Sequence, residues 1–314
     1  MSTSGTSAFN LDLNNLVEEA FERCGKELRT GYDLRTARRS MNLLTIEWAN
    51  RGINLWTVEQ GTIPMVTGQA IYPVPSDTID LLDHVIRQNN GTSNQSDINI
   101  SRIAEPTYSS IPNKLTQGRP IQVYFNRQTG REYTSTITLA QAISNTDTTI
   151  TLSSVATLPA AGFIKIGNET ISYPNVDAST NQLLNCARGQ DGSTATSHAI
   201  TPTPPVITVR NLPCINIWPT PNAPGDQYLF VYWRMRRIQD SGTGGTYEQD
   251  IPFRLLPCMV AGLAYYLSMK LPEMDPTRIQ MLKADYEEQW NLASAEDRDT
   301  SPLRIVPRNL FYYG

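Results

Sequence analysis

Apolar residues recur at helical spacing only near the two ends of this chain. Between residues 57 and 249 they fall into short alternating runs broken by Gly, Pro and Asn-Gly. That division limits the possible folds more than any other feature. A 3.6-residue stripe cannot be laid along a half-buried strand, and a two-residue alternation cannot stripe a helix. The chain is therefore predicted to be α+β, with helices drawn from both ends and an antiparallel β domain between them.

At the N-terminal end Leu13, Leu16, Val17, Ala20, Phe21, Cys24 and Leu28 form one apolar stripe, and Glu18, Glu19, Glu22, Arg23 and Lys26 fill the other face. Gly31 reads as a break and Asp33 as the cap of a second helix. Its seam is Leu34, Ala37, Met41, Leu44 and Trp48, and Gly52 stops it. Residues 1–56 are thus expected to form a helical hairpin that packs on itself. Arg35, Arg38 and Arg39 lie beside the seam, but seven acidic residues balance seven basic ones between Asp12 and Arg51, so no basic patch results. Toward the other end, Asp250 and Pro252 open a helix through Leu256, Val260, Leu263, Ala264 and Leu267. Asp275-Pro276 supplies a cap and a first-turn proline for the next one. Helices over 250–298 are expected to pack with the N-terminal hairpin.

Residues 57–133 and 206–249 read as two parts of one antiparallel β domain, with runs such as Ile71–Pro75, Leu81–Ile86 and Ile121–Phe125. One long strand ends the second part. Leu229, Val231, Trp233 and Met235 occupy one of its faces, and Tyr228, Phe230, Tyr232, Arg234 and Arg236 the other. Bulky side chains on both faces predict that the second set is a subunit interface, since such surface is a liability on a monomer.

Residues 134–205 differ from their surroundings. They hold 22 Ser or Thr and only six charged residues: Asp147, Lys165, Glu169, Asp177, Arg188 and Asp191. Short strands are expected at Ile137/Leu139, Ile150/Leu152, Ile164/Ile166 and Ile171/Tyr173, with Gly167-Asn168 as a hairpin turn. Pro202, Pro204 and Pro205 lead the chain back out. The segment reads as a small β-rich module inserted into a loop of the larger domain. Its polar fixtures are Glu169, Arg188, Asp191 and His198. They are either contacts for a glycan or metal, or turn residues holding a packed hairpin, and the second reading is preferred.

Several function classes are excluded. A net charge of −4 and a pI near 5.3 supply no phosphate-neutralising surface. The longest apolar stretch, Leu255 to Met269, contains Pro257 and is too short to span a bilayer, and no secretion signal is visible at the start. The four cysteines, Cys24, Cys186, Cys214 and Cys258, are dispersed and give neither a zinc knuckle nor a disulfide scaffold. His84 and His198 stand alone, and no phosphate-binding loop or nucleophile elbow occurs. The Gly242, Gly244, Gly245 cluster reads as a loop. Glu18–Glu19 and Glu287–Glu288 read as solvent-facing helix residues. No catalytic residue, cofactor or metal is expected.

Taken in order, the segments Leu16-Val-Glu-Glu-Ala-Phe-Glu-Arg-Cys-Gly25, Tyr32-Asp-Leu34, Met41 to Trp56, Ile111-Pro-Asn-Lys114, Gly118-Arg-Pro120, Ile215-Asn-Ile-Trp-Pro-Thr-Pro221, Asp250-Ile-Pro-Phe253 and Gly262-Leu-Ala-Tyr-Tyr-Leu267 resemble the head-to-tail adaptor proteins of short-tailed bacteriophages, the tail-accessory-factor and tail-tubular-A type. The resemblance covers nearly everything outside 134–205. It implies a structural virion protein at the head–tail junction, made in the host bacterial cytoplasm. It also implies a homo-oligomeric ring, a dodecamer, which binds the portal above and a tail or nozzle protein below. Double-stranded DNA would pass through without sequence-specific binding, and no membrane is involved. The competing class is a glycan-binding or carbohydrate-active tail protein.

Residues 299–314 read as an extended docking tail. Pro302 and Pro307 exclude a helix, Arg304 and Arg308 give it charge, and Leu310, Phe311, Tyr312 and Tyr313 end it with four large side chains. Such a segment suits a groove or a sheet edge. By the resemblance its partner is the portal, which is favoured, or a neighbouring subunit; the alternative is that the aromatics cover the last two helices of the same chain.

Overall fold

A computed structural model describes residue 5 and residues 9–29, 31–53, 55–128, 130–225, 227–242 and 247–297. Among the described residues the fold is α+β, with five α-helices and several sheets that are mostly antiparallel. The chain divides into two compact units, Met1–Trp56 with Ile238–Gly314, and Thr57–Arg237.

The helical unit contains α1 (Leu13–Arg23) and α2 (Gly31–Arg51) from one end of the chain, with α4 (Leu256–Ser268) and α5 (Pro276–Glu296) from the other. A further short helix, α3 (Glu105–Ser109), belongs to the second unit. Asp12 caps α1 by accepting from the Asn15 amide at 2.8 Å. Gly25, at φ +71°, ends it, with Lys26 N–H closing back on the Phe21 carbonyl. The break therefore falls at Gly25, and Gly31 is already the first residue of α2.

The expected hairpin seam is also corrected. α1 and α2 both pack chiefly on α4 and only slightly on each other. The reason is in α4 itself, which buries side chains on nearly every face: Leu256, Met259, Val260, Leu263, Ala264 and Leu267 among them. A helix that is apolar all round must be surrounded, so it becomes the axis of the unit. Gly262 lets the neighbours close in, because a Cβ there would stand 2.8 Å from Leu44 Cδ2 of α2 and 2.9 Å from Tyr286 Cε2 of α5. At the same level Trp48 Nε1 donates to the Tyr286 hydroxyl at 3.2 Å.

The second unit is built from sheets. One has the order Val58–Pro64, Tyr228–Arg236, Thr78–Gln88, Ser96–Asn99, all antiparallel. Another runs Ile71–Pro73, Cys214–Trp218, Gln122–Asn126, Ser101–Arg102, with the last pair parallel. Their inward residues, including Tyr72, Ile86, Phe125, Ile215, Phe230 and Tyr232, share one core.

A five-stranded sheet follows the order Ala187–Gln190, Glu169–Tyr173, Gly162–Ile166, Val206–Asn211, Arg131–Thr138. It extends past both edges of the Ser/Thr-rich segment, since the entering and leaving strands pair with each other, Thr134 opposite Thr208. Gly167-Asn168 is the two-residue turn of its hairpin, with Gly167 at φ +60°. A small cluster of Ile, Leu and Val with Tyr173 and Cys186 fills its interior.

Candidate functional site

Glu169 and Arg188 form the centre of a hydrogen-bonded cluster in the five-stranded sheet. The Gly167-Asn168 turn places Glu169 at the start of its strand, facing inward with Ile171 and Tyr173, and its carboxylate is wholly buried. Oε1 accepts from Arg188 Nε at 2.8 Å and from the Gly189 amide at 3.1 Å. Oε2 accepts from Arg188 Nη2 at 2.8 Å and the Thr196 amide at 3.2 Å, and pairs with His198 Nε2 at 2.7 Å. Arg188 spends its remaining donors on the carbonyls of Ser144 and Thr196. Burial alone would raise the Glu169 pKa, but the hydrogen bonds from Arg188, His198 and Thr196 outweigh it and hold the carboxyl at about 2.

For Glu169 this geometry supports the packed-hairpin reading of the polar fixtures. Its carboxylate receives five hydrogen bonds from four residues and exposes no oxygen, so its acceptor sites are taken up within the sheet and its loop. Its work is internal: it ties the 188–198 loop and residue 144 to the central hairpin. Asp191 joins a neighbouring pair, accepting from Arg210 Nη1 at 2.8 Å, while Arg210 Nε contacts Glu132 at 2.6 Å.

The candidate interface strand is corrected in its premise. Tyr228–Arg236 is an interior strand, paired on one side with Val58–Pro64 and on the other with Thr78–Gln88. Phe230 and Tyr232 lie in the unit's own core, and Tyr228 packs against it. The opposite face is covered too, with Leu229, Val231 and Trp233 against Val85. Gly61 makes room for Tyr232: a Cβ there would come within 2.4 Å of the ring. Arg234 reaches Asp77 at 2.6 Å and Glu59 at 2.9 Å, and Arg236 reaches Glu59 at 2.6 Å. Sequence patterning found the two faces, but could not show that folding covers both.

The other reactive side chains are quiet. All four cysteines are buried and form no disulfide, and burial pushes their thiols up, Cys24 to about 11 and the other three to about 12. Burial also holds the His84 pKa below its ordinary value, with the ring stacked on Phe230. Among the described residues no cluster of three or more His, Cys, Asp or Glu is placed to hold a metal ion. Among them, too, no helix is long and apolar enough to cross a membrane.

What stands out instead is exposed apolar surface on the helical unit. α2 buries Ala37, Met41, Leu44 and Trp48, yet holds Leu43 and Ile46 half-exposed outside that stripe. α5 exposes Met281 and Leu292, at 68 % and 60 %. Leu43 and Ile46 were legible only as residues off the helical seam, and periodicity gave them no role. The docking-tail residues Arg304, Arg308, Leu310, Phe311, Tyr312 and Tyr313 lie outside the described residues, as do Gly244 and Gly245. No protein-family model matches the chain, and comparison with curated proteins finds no match.

Proposed function

We propose that the chain is a structural virion protein, a head-to-tail adaptor that assembles into a dodecameric ring beneath the portal and extends the DNA channel toward the tail. The observation that supports this reading is the set of apolar side chains left exposed on two helices of the helical unit. Leu43 and Ile46 on α2, and Met281 and Leu292 on α5, stay in water while each helix already buries a full stripe elsewhere. Side chains of this kind suit burial between subunits. The segments that carry the resemblance to the adaptor family supply α1, α2 and α4, so the same unit bears both features. The balanced, slightly acidic charge suits a conduit, where every phosphate contact would slow the passing DNA. In this reading residues 134–205 project outside the ring, their sheet completed by the flanking strands Arg131–Thr138 and Val206–Asn211.

Electron microscopy of the purified chain mixed with its cognate portal tests the reading. Rings stacked coaxially on the portal are the expected result. A chain that stays monomeric at micromolar concentration and leaves the portal bare would contradict it. Glycan-array binding by such a monomer would favour the carbohydrate-binding class.

A further inference from the structure

The two most exposed aromatic side chains among the described residues, Phe9 at 76 % and Phe253 at 67 %, line the same groove. It runs along α1 and the start of α4 and encloses about 630 Å³. Leu11, Leu256, Pro257 and Val260 give it an apolar lining. On α1, Glu18 and Glu22 are one turn apart and exposed at its rim. Glu19 also lines it but is paired with Arg23 at 3.1 Å, and Arg254 leans over the Phe253 ring. Carboxylates therefore outnumber guanidiniums three to two, and the occupant this groove fits is an extended apolar segment with positive charge.

The chain carries such a segment. Residues 300–314 contain Arg304 and Arg308, no Asp or Glu, and the run Leu310, Phe311, Tyr312, Tyr313. Residues 1–8, next to Phe9, are Met-Ser-Thr-Ser-Gly-Thr-Ser-Ala, with one large apolar side chain and no charged one, so they are a poor match. The start of the tail is anchored nearby. Asp297 Oδ1 accepts from the Leu55 amide at 3.2 Å, and the adjacent Trp56 donates through Nε1 to the Asp250 carbonyl, three residues ahead of Phe253. The seventeen residues 298–314 can reach on the order of 55 Å when extended, ample for the groove. A short tether also gives the segment an effective concentration on the order of millimolar, which a free partner must exceed.

We propose that residues 300–314 lie in this groove of their own helical unit, with Arg304 and Arg308 toward Glu18 and Glu22 and the terminal aromatic run over the apolar lining. This puts the tail on its own subunit, not on the portal or the neighbour that the resemblance implies, and it stands whether or not the chain forms rings.

The test is photo-crosslinking in the full-length chain with a benzophenone amino acid at Phe311, using an equal mixture of isotopically heavy and light protein. The expected products join residue 311 to α1 or to the Phe253–Val260 segment within one isotopic population. The exposed double variant Glu18→Lys/Glu22→Lys should cut that yield by roughly five- to tenfold through charge reversal, while Val206→Lys, exposed on the five-stranded sheet, leaves it unchanged. Mixed heavy–light products, crosslinks to any other surface, or no crosslink at all would each overturn the proposal. Ring formation on the portal is scored separately, so failure of one reading does not disguise failure of the other.

Discussion

The helical unit and the five-stranded sheet solve the same problem with different materials. The helical unit surrounds α4 with apolar side chains from three helices, and its polar contacts, such as Arg51 with Glu47 and Glu287, stay at the margin. The sheet has a smaller apolar core and adds a buried ion pair, Glu169 with Arg188, at its centre. The lesson concerns tolerance. An apolar core loses stability in proportion to the volume disturbed, whereas a buried charge network fails as a whole when one partner is removed.

Glu169→Ala is the sharpest way to break that comparison. It strands the Arg188 guanidinium, which is 6 % exposed, and should cost about 3–5 kcal/mol. Hydrogen exchange should accelerate across 162–173 and 187–190, with α4 unaffected. Equal loss of protection in α4 would mean that the two regions do not fail separately.

Acid removes the same charge without removing the side chain, and its effect should be the next largest. The folded pKa of Glu169 is depressed to about 2 from an ordinary 4.5, so its contribution is complete above about pH 4.5 and is lost as the pH falls through the folded value. Hydrogen exchange at pH 3 should therefore show the sheet loosened before the helices. Helices that loosen first would reverse the comparison.

On the helical side, Gly262→Ala forces a methyl group against Leu44 and Tyr286 and should cost about 1–3 kcal/mol by overpacking, read from urea unfolding. The smallest effect belongs to Glu287→Gln. Its pair with Arg51 is partly solvated, so the loss should stay below about 1 kcal/mol. A larger loss would show that the margin of the helical unit carries weight assigned here to its core.

The same contrast explains what was legible in the sequence. The helices, the Asp275-Pro276 cap, the Gly52 stop and the Gly167-Asn168 hairpin are encoded by residues close in the chain. The sharing of α4 was not legible, because periodicity marks which face is apolar and not which helix will meet it. The Glu169 network joins residues 144, 169, 188, 196 and 198, whose spacing has no period and whose meeting depends on strand pairing. The interface reading of Phe230 and Tyr232 failed for a related reason. Alternation shows two bulky faces but not the sheet of the same chain that lies over one of them.

In the proposed ring the outer faces of the helical unit meet their neighbours and the five-stranded sheet stays uncovered. Hydroxyl-radical footprinting of the chain, free and bound to its cognate portal, tests it most directly. Leu43, Ile46, Met281 and Leu292 should lose reactivity on assembly while Tyr133 and Val206, exposed on the sheet, keep theirs. Protection of Tyr133 and Val206 with the four helical side chains unchanged would contradict it.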